Sequence, residues 1–313
     1  MESVIDSFVL DYISPYKELL AYEYIWARES SSFKEIANLL SKQDKLPSEV
    51  VNELIALFKE EDPLYQEVKS LINEKLQKNK NFSILLKESH QYPDKLLDAK
   101  YPIDLFYYRG NPDLAHNKCI SVVGTRQVSE EGKRRTNKLV YLLAQKDYTI
   151  VSGLAEGVDT IALSKAIEYN ANVIGVIGTP VDEYYPKSNK DLQEKIACNH
   201  LLISQVPFYK YSKQPFNTKR FYFPERNKTM ASLSLATIIV EASDTSGTLI
   251  QARSCLEQKR KLFILNSCFE NPNIAWPKKY EKRGAIRVRK IEDIFTHLEE
   301  KELINGQKNS MDT

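Results

Sequence analysis

The chain has 313 residues, 42% of them hydrophobic and 27% charged, with a formal net charge of +2. That is the balance of a globular protein with one large and one small domain. No apolar run approaches the roughly 18 residues that span a bilayer, and the start MESVIDSFVLDY has no basic leader, so neither membrane insertion nor secretion is expected. Four cysteines (Cys119, Cys198, Cys255, Cys268) without CxxC spacing and four scattered histidines argue against a zinc site or a disulfide framework. They point instead to reduced thiols in the cytoplasm.

Residues 1–80 contain no glycine and place apolar side chains at helical spacing, as in Val51, Leu54, Ile55, Leu57 and Phe58. This predicts a small all-helical accessory domain, a folding or partner-docking module. Residues 81–118 read as a connector. Tyr92-Pro93 and Tyr101-Pro102 are extended or turn dipeptides, and Arg109–Pro112 is a turn.

From 119 to 290 short β-branched runs alternate with helical patterns. Strands are expected at 120–123, 149–152, 173–178, 201–204, 237–241, 262–265 and 285–288. Helices are expected near 130–145, 158–170, 189–198, 226–234 and 247–258. Apolar strands joined by crossover helices define an α/β fold, a Rossmann-like doubly wound and mostly parallel sheet. Residues 291–313 read as a C-terminal helix and a polar tail.

Ligands of such sheets bind at the carboxyl ends of the strands. Five polar segments fall there. Gly124 to Ser129 follows the strand ISVV. Glycine permits close backbone approach, Ser129 suits an N-cap whose helix offers free amides to an anion, and Arg126 is placed to complete a phosphate clamp. The ordinary alternative is a tight turn with an exposed arginine. Ser152-Gly153 to Asp159 follows YTIV, with Asp159 serving either a ligand or the helix start. Tyr184 to Asn189 presents Lys187, which would otherwise be a solvated surface charge. Ser246-Gly247-Thr248 suits an amide nest for a phosphate, or an ordinary strand-to-helix loop.

The fifth segment is the densest. Residues 206–228 hold six Lys/Arg, one Glu and seven Phe/Tyr, ending in FYFPERNK. Cations neutralise phosphates and flat rings stack bases, so this composition suits single-stranded nucleic acid.

In order, these segments resemble the DNA-processing protein A family, also called DprA or Smf. The resemblance rests on Tyr92-Pro93-Asp94-Lys95-Leu96, Tyr108-Arg109-Gly110-Asn111, Val123-Gly124-Thr125-Arg126, SGLAEGVD at 152–159, YPKSN at 185–189, FPERNKTMASLS at 223–234 and EASDTSGTLIQA at 241–252. It implies a non-enzymatic, cytoplasmic homodimer without cofactor or metal. Such a protein binds single-stranded DNA and hands it to the RecA recombinase during transformation or recombination. The site it implies draws on Gly124, Arg126, Ser152, Gly153, Lys187, Phe223, Arg226, Asn227, Lys228, Ser246, Gly247 and Thr248. Arg126 and Lys187 would grip phosphate and Phe223 would stack near a base, while Arg226 and Asn227 either touch DNA or brace the wall. Departures are Leu163 in place of a histidine, Glu156 where a basic residue is common, Thr125 for serine and Lys228 for the second arginine of RNR. Glu156 should weaken binding of a polyanion.

Two other readings compete. One is a nucleotide-binding or nucleotide-sensing protein, with phage defence as a role, or a nucleotide hydrolase. Gly247-Thr248-Leu249-Ile250-Gln251 is similar to part of the phosphoribohydrolase motif, but Gln251 stands where that chemistry needs a glutamate acid or base. The other is a scaffold whose helical module docks a partner, with the basic residues between Lys278 and Lys290 as a nucleic-acid side patch, a partner surface or solvated charge.

Overall fold

The computed structural model describes residues 13–28, 32–40, 45–55, 62–78 and 81–299. Leu57, Phe58 and the polar tail from 305 lie outside them. Four helices come first: α1 (Pro15–Ala27), α2 (Phe33–Leu40), α3 (Pro47–Ile55) and α4 (Pro63–Lys78). Nine strands follow: β1 (Ser83–Leu86), β2 (Leu105–Gly110), β3 (Cys119–Val123), β4 (Thr149–Ser152), β5 (Val173–Ile177), β6 (Leu201–Ser204), β7 (Ala236–Ile239), β8 (Lys261–Leu265) and β9 (Ile286–Val288). Between and after them lie α5 (Glu130–Ala144), α6 (Val158–Glu168), α7 (Lys190–Asn199), α8 (Phe208–Lys213), α9 (Phe216–Lys219), α10 (Tyr222–Leu233), α11 (Thr248–Glu257), α12 (Asn266–Glu270) and α13 (Trp276–Glu281).

All nine strands form one sheet in the order β1-β2-β6-β5-β4-β3-β7-β8-β9. From β6 through β9 every pairing is parallel, the Rossmann-like doubly wound arrangement that the alternation of runs predicts. The chain winds outward from β3 to β6, then returns beside β3 as β7 and winds the other way. This reversal opens a crevice at the carboxyl ends of β3 and β7, where such sheets bind ligands.

Residues 81–118 are more than a connector. They carry β1 and β2, and β2 pairs antiparallel with both β1 and β6. Leu105 and Phe106 are buried on opposite faces. A four-residue strand such as SILL is too short to announce itself against its loop background.

Strand residues alternate between two cores, as period-two geometry requires. Ile120, Val122, Ile150 and Ile238 face one, shared with α5, α6 and α7. Val123, Val151, Ile239 and Ile264 face the other, with Met230, Leu233, Ala252 and Cys255 of α10 and α11. The first core also takes in α1, so the N-terminal helices are packed against the α/β body. Glu23 of α1 anchors them. Its carboxylate accepts the Tyr107 hydroxyl and the backbone N–H groups of Phe208 (2.8 Å) and Tyr209 (2.9 Å) at the start of α8. At the far end, residues 292–299 are helical, with Ile294 and Leu298 buried in the same core. Among the described residues no helix is long and apolar enough to cross a membrane.

Candidate nucleic-acid interface

The loops after β3, β4, β5 and β7 meet at the crevice, and α10 crosses above them. Two side chains of α10 hold them together. Arg226 donates from Nε to Asn227 Oδ1 (2.9 Å), and from Nη1 to Val176 O (2.9 Å) and Gly153 O. Asn227 donates from Nδ2 to Gly247 O at 3.0 Å. Two adjacent residues thus tie the ends of β4 and β5 and the start of α11 to α10. Burial pulls the Arg226 guanidinium down to about 10; the nearby Asp159 opposes that shift, and Arg126 adds to it.

Asp159 is the counter-charge. Burial raises its carboxyl, against the charge of Arg226 and hydrogen bonds from the Gly153 and Ala155 amides. Ser152 is fully buried and donates to Val122 O at 2.7 Å. It lines no open part of the crevice, which corrects its place among the contact residues: it is the last residue of β4, and its side chain turns into the sheet. Arg226 and Asn227 take the bracing role.

The start of α5 also differs from expectation. Ser129 does cap it, accepting the Gly132 N–H at 2.9 Å. Its hydroxyl donates to Glu241 Oε2 at 2.8 Å, and a Cβ on Gly132 would lie 2.2 Å from that oxygen. An internal carboxylate therefore already occupies the position where an external anion was expected. Close by, Thr248 Oγ1 donates to Gly124 O (3.1 Å) and its N–H to Ser246 Oγ (3.2 Å), which joins the β3 and β7 loops.

Two hollows remain open. The inner one, of about 390 Å³, lies at the switch point between Gly124–Gln127, Asn227 and Ser246–Thr248. The outer one, of about 360 Å³, is lined by Glu156, Tyr184–Lys187 and Phe216. Arg126, Phe223 and Arg226 border both. The Phe223 and Tyr185 rings lie 5.3 Å apart, tilted, so that aromatic surface faces the outer hollow. Arg126 and Lys187 are exposed on its rim, and neither has an acidic partner among the described residues. Glu156 stands on the same rim, accepting the Ser188 hydroxyl at 3.1 Å.

Lys228 is not part of this group. It pairs with Glu225 at 2.6 Å and lines a different hollow, between α10, α11 and residues 96–103. Two positions after Arg226, a helix turns by roughly 200°, which carries the side chain to the other side. Ten of the twelve residues expected from the sequence line the two hollows; Lys228, on the other side of α10, and the inward-facing Ser152 do not. Phe216 lines the outer hollow as well. In the sequence it is one of seven rings, and nothing local marks it as the one that reaches the hollow.

Comparison with known proteins agrees with this architecture. The family model for DNA recombination-mediator protein A matches residues 83–299, which begins at β1 and ends beyond β9. The chain belongs to that family. It is 37% identical over 191 residues to the DNA processing protein DprA of Streptococcus pneumoniae, covering 58% of this chain and 65% of that protein. It is 32% identical over 214 residues to the DprA of Bacillus subtilis, covering 68% and 70%. The chain thus spans about two thirds of the length of each of these relatives. Among solved structures, the S. pneumoniae DprA superposes with a TM-score of 0.73 at 27% identity, covering 89% of this chain and 97% of that one. The DNA processing protein A of Helicobacter pylori, described for its unique single-stranded DNA binding mode, superposes with a TM-score of 0.59 at 28% identity, covering 70% and 96%.

Proposed function

We propose that this family member binds single-stranded DNA along the crevice, as a non-catalytic step of DNA processing. The observation that carries the reading is the outer hollow. It is lined by two cations with no acidic partner among the described residues, Arg126 and Lys187, and by the Phe223–Tyr185 ring pair. Cations fix a phosphate backbone whatever the sequence, and rings accept any unpaired base, which is the chemistry of a general single-strand site. The single-stranded DNA binding mode described for the H. pylori relative supports the same ligand class. Delivery of the strand to RecA, a homodimeric state and a cytoplasmic location follow from the family resemblance and form part of the proposal.

The test is titration of an oligothymidine with the wild-type chain and with Arg126→Ala and Lys187→Ala. Each variant should bind more weakly, and the slope of log K against log salt should fall by roughly one for each phosphate no longer neutralised. Unchanged affinity in the double variant overturns the reading. A free nucleotide in the inner hollow is the second reading, favoured by Ser246–Thr248 at the start of α11. Gln251, on that hollow's wall, has no acid–base capacity, so incubation with nucleoside monophosphates should release no free base.

A further inference from the structure

We infer that Phe216, at the edge of the outer hollow, and Phe221 form a stacking shelf on which bases of the strand continue as they leave the hollow. The inference rests on the single-stranded DNA reading and extends its footprint to two residues that lie outside the segments 185–189 and 223–234.

The first observation is exposure. Among the described residues, seven large apolar side chains are exposed, and Phe216 (83%) and Phe221 (62%) are the most exposed of them. A single exposed ring is ordinary, but the two most exposed rings falling within six residues of each other are not. Tyr185, at 44%, is a third member of the seven, and it lines the outer hollow together with Phe216. Phe216 opens α9, and Phe221 immediately precedes α10, whose Phe223 follows the buried Tyr222 and lines the hollow. Aromatic surface therefore runs outward from Phe223 and Tyr185 onto the α9 segment.

The second observation is charge. Lys219 and Arg220 lie between the two phenylalanines and have no acidic partner among the described residues. Arg220 sits over the Phe221 ring at 5.4 Å, and Lys219 over Tyr211 at 4.1 Å. Arg220 on one face of Phe221 leaves the opposite face open, Phe216 is exposed without a cation on its ring among the described residues, and the two cations supply positive potential where a backbone would pass. A protein-docking patch of this kind would be depleted of Lys at its centre. Alternating rings and unpaired cations match a single strand, in which each nucleotide offers one base face and one phosphate.

The test uses two probes of equal length, an oligothymidine and an abasic oligonucleotide with the same sugar–phosphate backbone. Phe216→Ala and Phe221→Ala should each weaken oligothymidine binding about tenfold. They should leave the abasic probe and the salt slope unchanged. Phe221→Trp should restore affinity, with indole fluorescence quenched on binding. Both side chains are exposed, so thermal melting should be unaffected and a folding defect is separable. If the wild type binds the oligothymidine and the double alanine variant binds it equally well, the shelf is wrong while the site stands. If the alanine variants alter sedimentation instead of DNA affinity, the surface is a protein interface and the inference falls. If the wild type binds neither probe, the single-strand reading itself fails.

Discussion

The guanidinium of Arg226 lies against the backbone of Gly153 so closely that a Cβ on residue 153 would fall 1.9 Å from Nη1. Residue 153 is therefore glycine because a buried charge occupies the space a side chain would take. Gly153→Ala should expel Arg226 from its carbonyl partners Gly153 O and Val176 O and leave Asp159 without its counter-charge. The expected destabilisation is about 3 kcal/mol, read as a lower urea midpoint. Arg226→Lys should lose a comparable amount, since one ammonium cannot bridge Asn227 and two carbonyls from that position. An unchanged midpoint in either variant would contradict this account of the crevice.

That pair also shows what was legible in the sequence. The strands β3 to β9 were, because each is an apolar, β-branched run, and the sites at their ends followed from the rule for parallel sheets. The direction of individual side chains was not. Ser152 and Gly153 are neighbours in one motif, yet Ser152 turns into the sheet and Gly153 makes room for an arginine 73 positions later. Lys228 shares a motif with Arg226 and faces elsewhere. The antiparallel edge of β1 and β2 is hidden at this level because its stability comes from pairing with β6, a long-range fact that local pattern does not carry.

Glu23 should make stability pH-dependent. Burial pushes its carboxyl up to about 7, against the hydrogen bonds from Tyr107, Tyr209 and Phe208. Its ordinary value of 4.5 applies in the unfolded chain. Between those two pH values the folded state holds a proton that the unfolded state has released, so stability falls as pH rises through the window and levels off above about 7. Asp159, also raised by burial, adds a slope of the same sign. The thermal midpoint should be lower at pH 7.5 than at pH 5 (roughly the two sides of the Glu23 transition). Glu23→Gln should flatten that difference; an equal slope in the variant would show that another group dominates.

Lys228 provides a control for charge as such. It carries the same charge as Lys187 but is paired with Glu225 on the other side of α10. Lys228→Ala should leave oligothymidine affinity within about twofold and the salt slope unchanged, because counterion release counts only cations that meet phosphate. A loss as large as that of Lys187→Ala would mean that the strand wraps around α10 and reaches the hollow beside residues 96–103.

Glu156 offers a gain of function. Its carboxylate stands on the rim that Arg126 and Lys187 share and is held there by the Ser188 hydroxyl at 3.1 Å. A backbone phosphate near those cations meets this negative charge at close range, which opposes binding most at low ionic strength. Glu156→Gln keeps an acceptor for Ser188 and removes the charge. Affinity for oligothymidine should rise severalfold at about 0.05 M salt, and the gain should shrink as the screening length falls below roughly 8 Å above 0.15 M. Fluorescence anisotropy across that salt range checks both parts. A fall in affinity at every salt concentration would instead make the Glu156 carboxylate a direct acceptor for a base edge.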